Sequence, residues 1–159
     1  MSKHLFLLIL ILTVAACAPA PAQTASEADQ ARATLMGFLT RLNSGEYAEA
    51  VPLYGGEYEA LQVFNPQIDA SDHLALWAWA CDNRLLQCLE VRSAELLHQE
   101  DSTYVFQVEF NNPDGSLFVL GPCCGANETE MPPESQFEFT VIKNAEGKFV
   151  VMNTPPYVP

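Results

Sequence analysis

Five cysteines carry most of the chemistry that this sequence could perform. Cys123 and Cys124 are adjacent in the stretch GPCCG, while Cys81 and Cys88 are separated by DNRLLQ. Such thiols can bind a metal, act as a redox pair or form disulfides. A zinc knuckle needs cysteines about two to four positions apart, which the Cys81 and Cys88 spacing exceeds. The sequence also contains no C-x-x-C redox motif, so the choice depends on the compartment in which the protein works.

The first residues indicate that compartment. Lys3 precedes the apolar run Leu5–Val14, which has the length of a signal peptide and about half that of a membrane-spanning helix. The run ends in VAAC, and this order of segments resembles the lipobox of bacterial lipoproteins. The resemblance implies removal of residues 1–16 and acylation of the thiol and amine of Cys17, including palmitate. The alternative is an ordinary signal peptide cut at a small residue.

Residues 17–25 are dominated by Ala, Pro, Ser and Thr, which predicts a flexible tether between Cys17 and a folded domain at 26–159. The resemblance thus implies an exported protein held by lipid. The anchor would lie on the outer side of the cytoplasmic membrane or in an outer membrane. Several acyl chains would make this anchoring stable, because each buried CH₂ contributes about 0.8 kcal/mol.

The charge balance is strongly acidic, with 20 Asp+Glu against 7 Lys+Arg and a net charge of −13. Such a surface repels phosphate backbones, so nucleic acid is not expected as a partner. It also repels anionic lipid headgroups, so the lipid on Cys17 would have to supply the attachment to the membrane. The acidic residues are spread along the chain, as expected for a protein that stays soluble outside the cell.

An even number of cysteines in an exported domain favours disulfides. The simplest pairing joins Cys81 to Cys88 and Cys123 to Cys124. The first bridge would close a short loop and contribute about 2.5 kcal/mol, whereas the second would fix the shape of a local loop. The alternative pairing joins Cys81 and Cys88 each to one member of the adjacent pair.

The sequence predicts no cofactor and no metal site. No stretch matches the Asp-rich calcium loop with its central Gly and terminal Glu. A reduced Cys123 and Cys124 pair could bind a soft metal together with His98 or Met131, which we keep as an alternative.

The first half of the domain has helical periodicity. Ser26 can cap a helix together with Asp29, and Gly45 can end that helix in the left-handed conformation. A second helix follows, which Pro52 should shorten or kink, and GEYEALQVF predicts one or two further helical turns.

Another helix is expected before the first cysteine pair. Asp69 or Ser71 can cap it, and Leu74, Trp77 and Cys81 are predicted to lie along one side.

From Cys88 onwards the pattern changes to alternation, which is typical of β-strands. The predicted strands are CLEVRSAELLHQ, TYVFQVEF, LFVL, QFEFTVIK and KFVVMN. NNPDGS between two of them is a hairpin signal, and the Pro-rich tail is expected to lie extended against the domain. Helices followed by antiparallel strands predict an α+β fold, with helices packed on a curved sheet.

The stretch LMGFLTRLNSGEYAEAVPLY, Leu35–Tyr54, resembles the start of the NTF2-like (cystatin-like α+β) superfamily. The resemblance extends over about Ser26 to Asn153 and implies a cone with a pocket between helices and sheet. The chain also resembles small secreted bacterial lipoproteins that share a QCL element and a PCCG…MPP loop. Because this superfamily contains both enzymes and binding modules, the fold alone does not assign a function.

The resemblance implies two sets of candidate residues. A pocket enzyme of isomerase or dehydratase type, acting on a small apolar substrate, would use Asp72, His73 or Tyr54 as catalytic groups. A ligand pocket would be lined by Tyr47, Trp77, Tyr104 and Phe106. Asp72 and His73 are neighbours and point about 100° apart on a helix, so both cannot face one pocket squarely.

The inward positions of the predicted strands are apolar, which favours a binding or accessory module over an enzyme. Its ligand would be an apolar small molecule in the cone or a partner protein on the sheet. Superfamily members also pair through the sheet, which implies a homodimer as a further alternative.

Overall fold

The computed structural model describes residues 25–158, which fold into four α-helices and one four-stranded antiparallel sheet. This confirms the predicted α+β class, with helices packed on a sheet. The signal peptide at 1–16, the lipidation of Cys17 and the tether up to residue 24 lie outside the described residues and stay predictions. Within 25–158, no helix combines the length and the apolar character needed to cross a bilayer.

Helix α1 (Glu27–Ser44) begins and ends as predicted. The Ser26 side chain accepts a hydrogen bond from the Asp29 backbone N–H, and the Asp29 carboxylate accepts one from Ser26 in return. Gly45 ends the helix with φ +74°, a conformation that costs glycine little. One face of the helix is buried against the sheet and the other helices, through Ala31, Leu35, Phe38, Leu39 and Leu42.

The second helix is short, as Pro52 predicted. Helix α2 (Tyr47–Ala50) passes into a 3₁₀ turn (Val51–Leu53) that contains the proline. Helix α3 (Glu59–Phe64) supplies the expected one or two turns.

Helix α4 (His73–Asp82) differs from the prediction in its cap, and of the three residues expected along one side only Trp77 is fully buried. The cap is Asp72, whose Oδ1 accepts a hydrogen bond from the Ala75 N–H at 3.0 Å, rather than Asp69 or Ser71. The buried side chains are Leu76, Trp77 and Ala80, while Leu74 is exposed. The sequence HLALWAWAC is apolar nearly all round, so periodicity alone could not fix which side faces the core.

The sheet is a simple meander in the order β1-β2-β3-β4, formed by β1 (Glu90–Glu100), β2 (Thr103–Asn111), β3 (Phe137–Lys143) and β4 (Phe149–Val151). Phe106 pairs with Phe139 across β2 and β3, so aromatic residues of the two strands share the face that packs on α1. The apolar residues that alternate along β2 and β3 are buried, as expected for inward strand positions: Tyr104, Phe106, Val108, Phe110, Phe137, Phe139 and Val141.

The stretch LFVL was predicted to be a strand, and this prediction is wrong. It makes isolated bridges, Asn111 with Leu117 and Leu120 with Glu134. The hairpin signal before it is confirmed: Gly115 adopts φ +82°, and its N–H donates to the carbonyl of Asn112 at 2.8 Å. Strand β3 already pairs with β2 from Thr103 to Val108, so LFVL can pair with β2 only beyond Val108, as the Phe118 N–H does with the Phe110 carbonyl.

The two edges of the sheet differ. Strand β4 is covered, because Tyr54 forms a parallel bridge with Val151 and the Gly55 N–H donates to the Val151 carbonyl at 2.9 Å. Strand β1 is the other edge, and within residues 25–158 no strand pairs with its outer side. The Pro-rich tail does not cover it, since Tyr157 bridges to Leu86, which confirms the expected extended tail.

Candidate functional site

The residues predicted to line a ligand pocket form part of the core instead. Trp77 and Tyr104 are 0% exposed and Phe106 is 1% exposed, so no water-sized space remains beside these side chains. Tyr47 is partly buried at the start of α2. These three side chains are therefore packed in the core, and the structure shows no open space beside them in which a ligand could lie.

The aromatic packing that fills the space centres on Trp77. Its ring lies edge-on to Phe38, with centroids 5.4 Å apart, and to Tyr54, with centroids 5.0 Å apart. Its indole N–H donates to the hydroxyl of Tyr58 at 3.3 Å, so the one polar atom of the indole is satisfied. A ligand could enter only by displacing one of these rings.

The weak catalytic candidates do not converge on one point. Asp72 caps α4 through its carboxylate. The His73 ring stacks on Tyr58, with centroids 3.7 Å apart and planes 5° apart. The Tyr54 hydroxyl donates to the carbonyl of Glu57 at 3.2 Å. Asp72 and Tyr54 are thus engaged in hydrogen bonds within the fold, and the His73 ring is held by stacking.

Two of the candidate residues, Tyr54 and Tyr47, are poor bases at neutral pH. Burial, with smaller effects of Tyr58 and Glu57, raises the pKa of Tyr54 to about 12. Burial, together with a hydrogen bond that the Tyr47 hydroxyl donates to Asp82 at 2.6 Å, raises the pKa of Tyr47 to about 12. Both phenols therefore remain protonated donors at neutral pH.

Charged side chains in the described part of the chain stay at the surface. Across residues 25–158 no charged side chain is buried, and no group of three or more His, Cys, Asp or Glu side chains is placed to hold a metal. His98 lies exposed on β1 opposite Val105, whereas Met131 belongs to the loop that contains Cys123 and Cys124. The soft-metal alternative thus gains no support from the described residues.

One polar cluster was not predicted from the sequence. The Tyr104 hydroxyl donates to Oε2 of Glu27 at 2.9 Å, and Nζ of Lys143 donates to Oε1 of the same carboxylate at 2.6 Å. These hydrogen bonds and the lysine charge lower the pKa of Glu27 below its usual 4.5. The cluster joins the first turn of α1 to β2 and β3, which is a structural role.

The predicted bridge between Cys81 and Cys88 is confirmed, with Cα atoms 5.5 Å apart. It joins the end of α4 to the segment that leads into β1. This bond makes the alternative pairing with Cys123 and Cys124 wrong.

Cys123 and Cys124 differ from the expected disulfide. They are two thiols with Sγ atoms 2.7 Å apart, compared with about 2.05 Å in an S–S bond. Adjacent residues joined by a trans peptide have Cα atoms about 3.8 Å apart, below the usual disulfide range of about 4.4–6.8 Å. Adjacency itself therefore opposes a relaxed bond between them.

The outer side of β1, which we call the open edge, runs for 11 residues and has no paired strand in the described region. Two bulges interrupt its pairing with β2, and they leave Arg92 and Leu97 without a partner residue. Leu96 is 43% exposed and Leu97 is 45% exposed. The sequence contained two signals for this edge. The first strand of a meander must lie at an edge of the sheet, and the adjacent Leu96 and Leu97 break the alternation of β1.

A second exposed apolar patch lies on α3 and the tail. Val63 is 69% exposed, and the ring of Phe64 stacks on Tyr157 with centroids 4.9 Å apart. The stack holds the tail against the helix, so Phe64 already has a partner within this chain. Only Val63 is left without comparable packing in this patch.

The comparisons with known proteins give no relative: no protein-family model matches the chain, and no curated protein matches it with significance.

Proposed function

We propose that this chain is an exported lipoprotein, held at a membrane by lipid on Cys17, whose domain binds another protein and performs no chemistry of its own. The anchoring half of the proposal rests on the apolar run and VAAC at the N-terminus. The Cys81–Cys88 disulfide supports export, because such bonds persist in oxidising compartments. The domain is proposed to be NTF2-like on the resemblance of Leu35–Tyr54 and on the order of its elements.

The observation that carries the binding half is the open edge of β1. An edge strand presents a row of backbone N–H and C=O groups that can pair with an extended segment of another protein. Proteins usually keep such edges short, whereas β1 has 11 residues and is the longest strand of the sheet. Leu96 and Leu97 add exposed apolar surface to that edge.

The charges on the edge indicate the chemistry of the occupant. Strand β1 carries Glu90, Glu95 and Glu100 against Arg92 alone, in a chain whose net charge is −13. An extended segment with Lys or Arg at alternate positions and apolar residues between them would match these charges and the two leucines. A second copy of this chain would bring like charges together, so we assign the edge to a different, basic partner.

The two bulges and the charges keep this edge from pairing at random. Bulges twist an edge strand, and charged side chains oppose edge-to-edge aggregation. The same features would give specificity, since only a segment of matching register and charge pairs well with such a strand.

The anchoring half is tested by intact-mass measurement of the full chain from the membrane fraction of cells that express it. We expect a mature chain that starts at Cys17 and carries acyl mass, and a Cys17→Ser variant that carries none and leaves the membrane. A full-length, unmodified wild-type chain in the cell interior would overturn this half.

The binding half is tested by photo-crosslinking in the same cells, with benzoylphenylalanine placed at Leu97 or, as a matched control, at the more exposed Val63. We expect one dominant adduct with a basic protein from position 97 and none from position 63. The adduct should weaken when Glu95 is replaced by Lys, because this reverses a charge on the open edge. An adduct with a second copy of this chain, equal adducts from both positions or no adduct at position 97 would contradict the assigned partner.

A further inference from the structure

The adjacent cysteines lie in a tight turn whose backbone holds their side chains together. The Ala126 N–H donates to the Cys123 carbonyl at 2.9 Å, which closes the turn. The two Sγ atoms are 2.7 Å apart, well inside the ordinary contact of about 3.5–4.0 Å between non-bonded carbon atoms. A sulfur–sulfur bond would therefore need only a small further approach.

The loop that carries this turn is closed at its base. Leu120 and Glu134 exchange two backbone hydrogen bonds, of 2.7 and 2.9 Å. At the tip, Cys124 adopts φ +60° and Gly125 adopts φ +90°. A residue other than glycine at such a φ is uncommon, and backbone outliers of this kind cluster at functional positions.

We propose that Cys123 and Cys124 form a reversible dithiol–disulfide couple, which is chemically separate from the structural Cys81–Cys88 bridge. Adjacent cysteines close a small ring that includes their own peptide bond, and their Cα atoms are too close for a relaxed disulfide. Strained and exposed disulfides are the easily reduced ones, whereas relaxed structural disulfides resist reduction. Cys81 and Cys88, with Cα atoms 5.5 Å apart, fall within the usual range. The couple depends neither on lipid at Cys17 nor on the open edge.

The oxidant is a disulfide, R–S–S–R′, on a small molecule or another protein. The thiolate of one cysteine attacks one sulfur, forms a mixed disulfide and releases R′S⁻. The neighbouring thiolate then attacks the cysteine sulfur of that mixed disulfide and releases RS⁻. Two thiols of this chain are oxidised to one disulfide, R–S–S–R′ is reduced to two thiols, and the two cysteine protons pass to solvent or to the leaving thiolates.

The two cysteines have different roles in this exchange. Cys124 is exposed and Cys123 is partly buried, so an incoming disulfide reaches Cys124 first. The hydrogen bond with Cys124 is the main cause that raises the pKa of Cys123, and this lowers the thiolate fraction available there for the first attack. Cys124 is therefore the attacking thiol and Cys123 the resolving one.

The charge of the loop selects among oxidants. Glu128 and Glu130 follow the turn within the same loop and are exposed. They repel an anionic disulfide such as glutathione disulfide and attract a cationic one such as cystamine. A positively charged disulfide substrate or partner protein is thus the expected class.

The couple is tested by equilibrating the full chain in buffers of reduced and oxidised glutathione over a wide range of ratios, followed by alkylation and peptide mass analysis. We expect Cys123 and Cys124 to lose their alkylation together as the buffer becomes oxidising, while Cys81 and Cys88 stay bonded throughout. The glutathione equilibrium constant for forming the Cys123–Cys124 bond should be at least about tenfold smaller than the lower bound that the persistent Cys81–Cys88 bond sets for its own. Alkylation of Cys123 and Cys124 at every ratio would overturn the proposal. So would their protection at every ratio, or a common transition with Cys81 and Cys88.

Single-cysteine variants test the roles, and both replace exposed or partly buried loop residues that the core does not need. Cys123→Ser should leave Cys124 to form a mixed disulfide quickly with cystamine, and faster than with glutathione disulfide. In the Cys124→Ser variant, Cys123 should form the mixed disulfide several-fold more slowly with both reagents. Equal rates for the two variants would contradict the assigned order, and a rate independent of reagent charge and of added salt would contradict the role of the acidic residues.

Discussion

The hydroxyl of Tyr104 donates a hydrogen bond to Glu27 although the two residues are 77 positions apart in the chain. Glu27 opens α1 and Tyr104 lies near the start of β2, so this bond joins the first helix to the sheet across most of the fold. Lys143 on β3 binds the other oxygen of the same carboxylate. The N-terminal end of α1 is thereby attached to two strands at once.

The Glu27 carboxylate should make stability depend on pH. Its hydrogen bonds with Lys143 and Tyr104 lower its pKa in the folded protein below 4.5, so its contribution is present above the unfolded-state pKa and is lost as pH falls through the folded one. We expect Glu27→Gln to be less stable than wild type at neutral pH, with a difference that shrinks as the pH drops below about 4.5. Urea unfolding over a pH series measures this, with the exposed Glu49→Gln as control. A constant difference between wild type and Glu27→Gln at all pH values would contradict the explanation.

Two leucines of α4 should respond very differently to truncation. Leu76 is 1% exposed and Leu74 is 47% exposed, although the sequence pattern grouped Leu74 with Trp77 along one side of the helix. Leu76→Ala should cost about 2–5 kcal/mol of unfolding free energy, because it leaves a cavity in the core. Leu74→Ala should stay within about 0.5–1 kcal/mol of wild type. Denaturant unfolding of both variants measures the two losses of unfolding free energy. Similar losses would show that Leu74 is as buried as Leu76, contrary to the structure.

The features predicted correctly from the sequence are those that interactions between near neighbours in the chain determine. The Ser26–Asp29 capping box and the glycine at position 45 fix the ends of α1 by hydrogen bonds between near neighbours. The alternation of β2 fixes its buried face, since a strand has only two sides. The disulfide between Cys81 and Cys88 follows from a short connection that brings two cysteines together.

Sequence reasoning failed where tertiary contacts decide. The orientation of α4 depends on the fit of Trp77 against Phe38 and Tyr54, which no periodicity encodes. The burial of Trp77, Tyr104 and Phe106 in the core likewise depends on contacts between distant segments of the chain. The bond between Tyr104 and Glu27 joins positions too distant in the chain for any local pattern to pair them.

Asp72, one of the candidate catalytic residues, has a structural role as the cap of α4. Its carboxylate satisfies the Ala75 N–H at the start of α4, so Asp72→Ala should cost about 1 kcal/mol. Asp72→Asn should restore most of that stability, because an amide oxygen caps a helix about as well as a carboxylate. Thermal unfolding of the two variants measures the effect. If Asn were as destabilising as Ala, the negative charge and not the cap would be the property that matters.

The Cys81–Cys88 disulfide should be the more important cysteine pair for stability. It closes a short loop between α4 and β1, and the Cys81→Ala/Cys88→Ala variant should lose about 2.5 kcal/mol through the entropy that its unfolded chain regains. The loop also holds the tail, because the Gln87 N–H donates to the Pro156 carbonyl at 2.8 Å, so amide exchange at Gln87 should accelerate in this variant.

The matched control is Cys123→Ala/Cys124→Ala, which should unfold within about 0.5 kcal/mol of wild type because its loop contributes little to the core. Adding dithiothreitol should reproduce the loss in wild type and change nothing in the Cys81→Ala/Cys88→Ala variant. A larger loss from the Cys123→Ala/Cys124→Ala control would show instead that the adjacent cysteines hold the fold together.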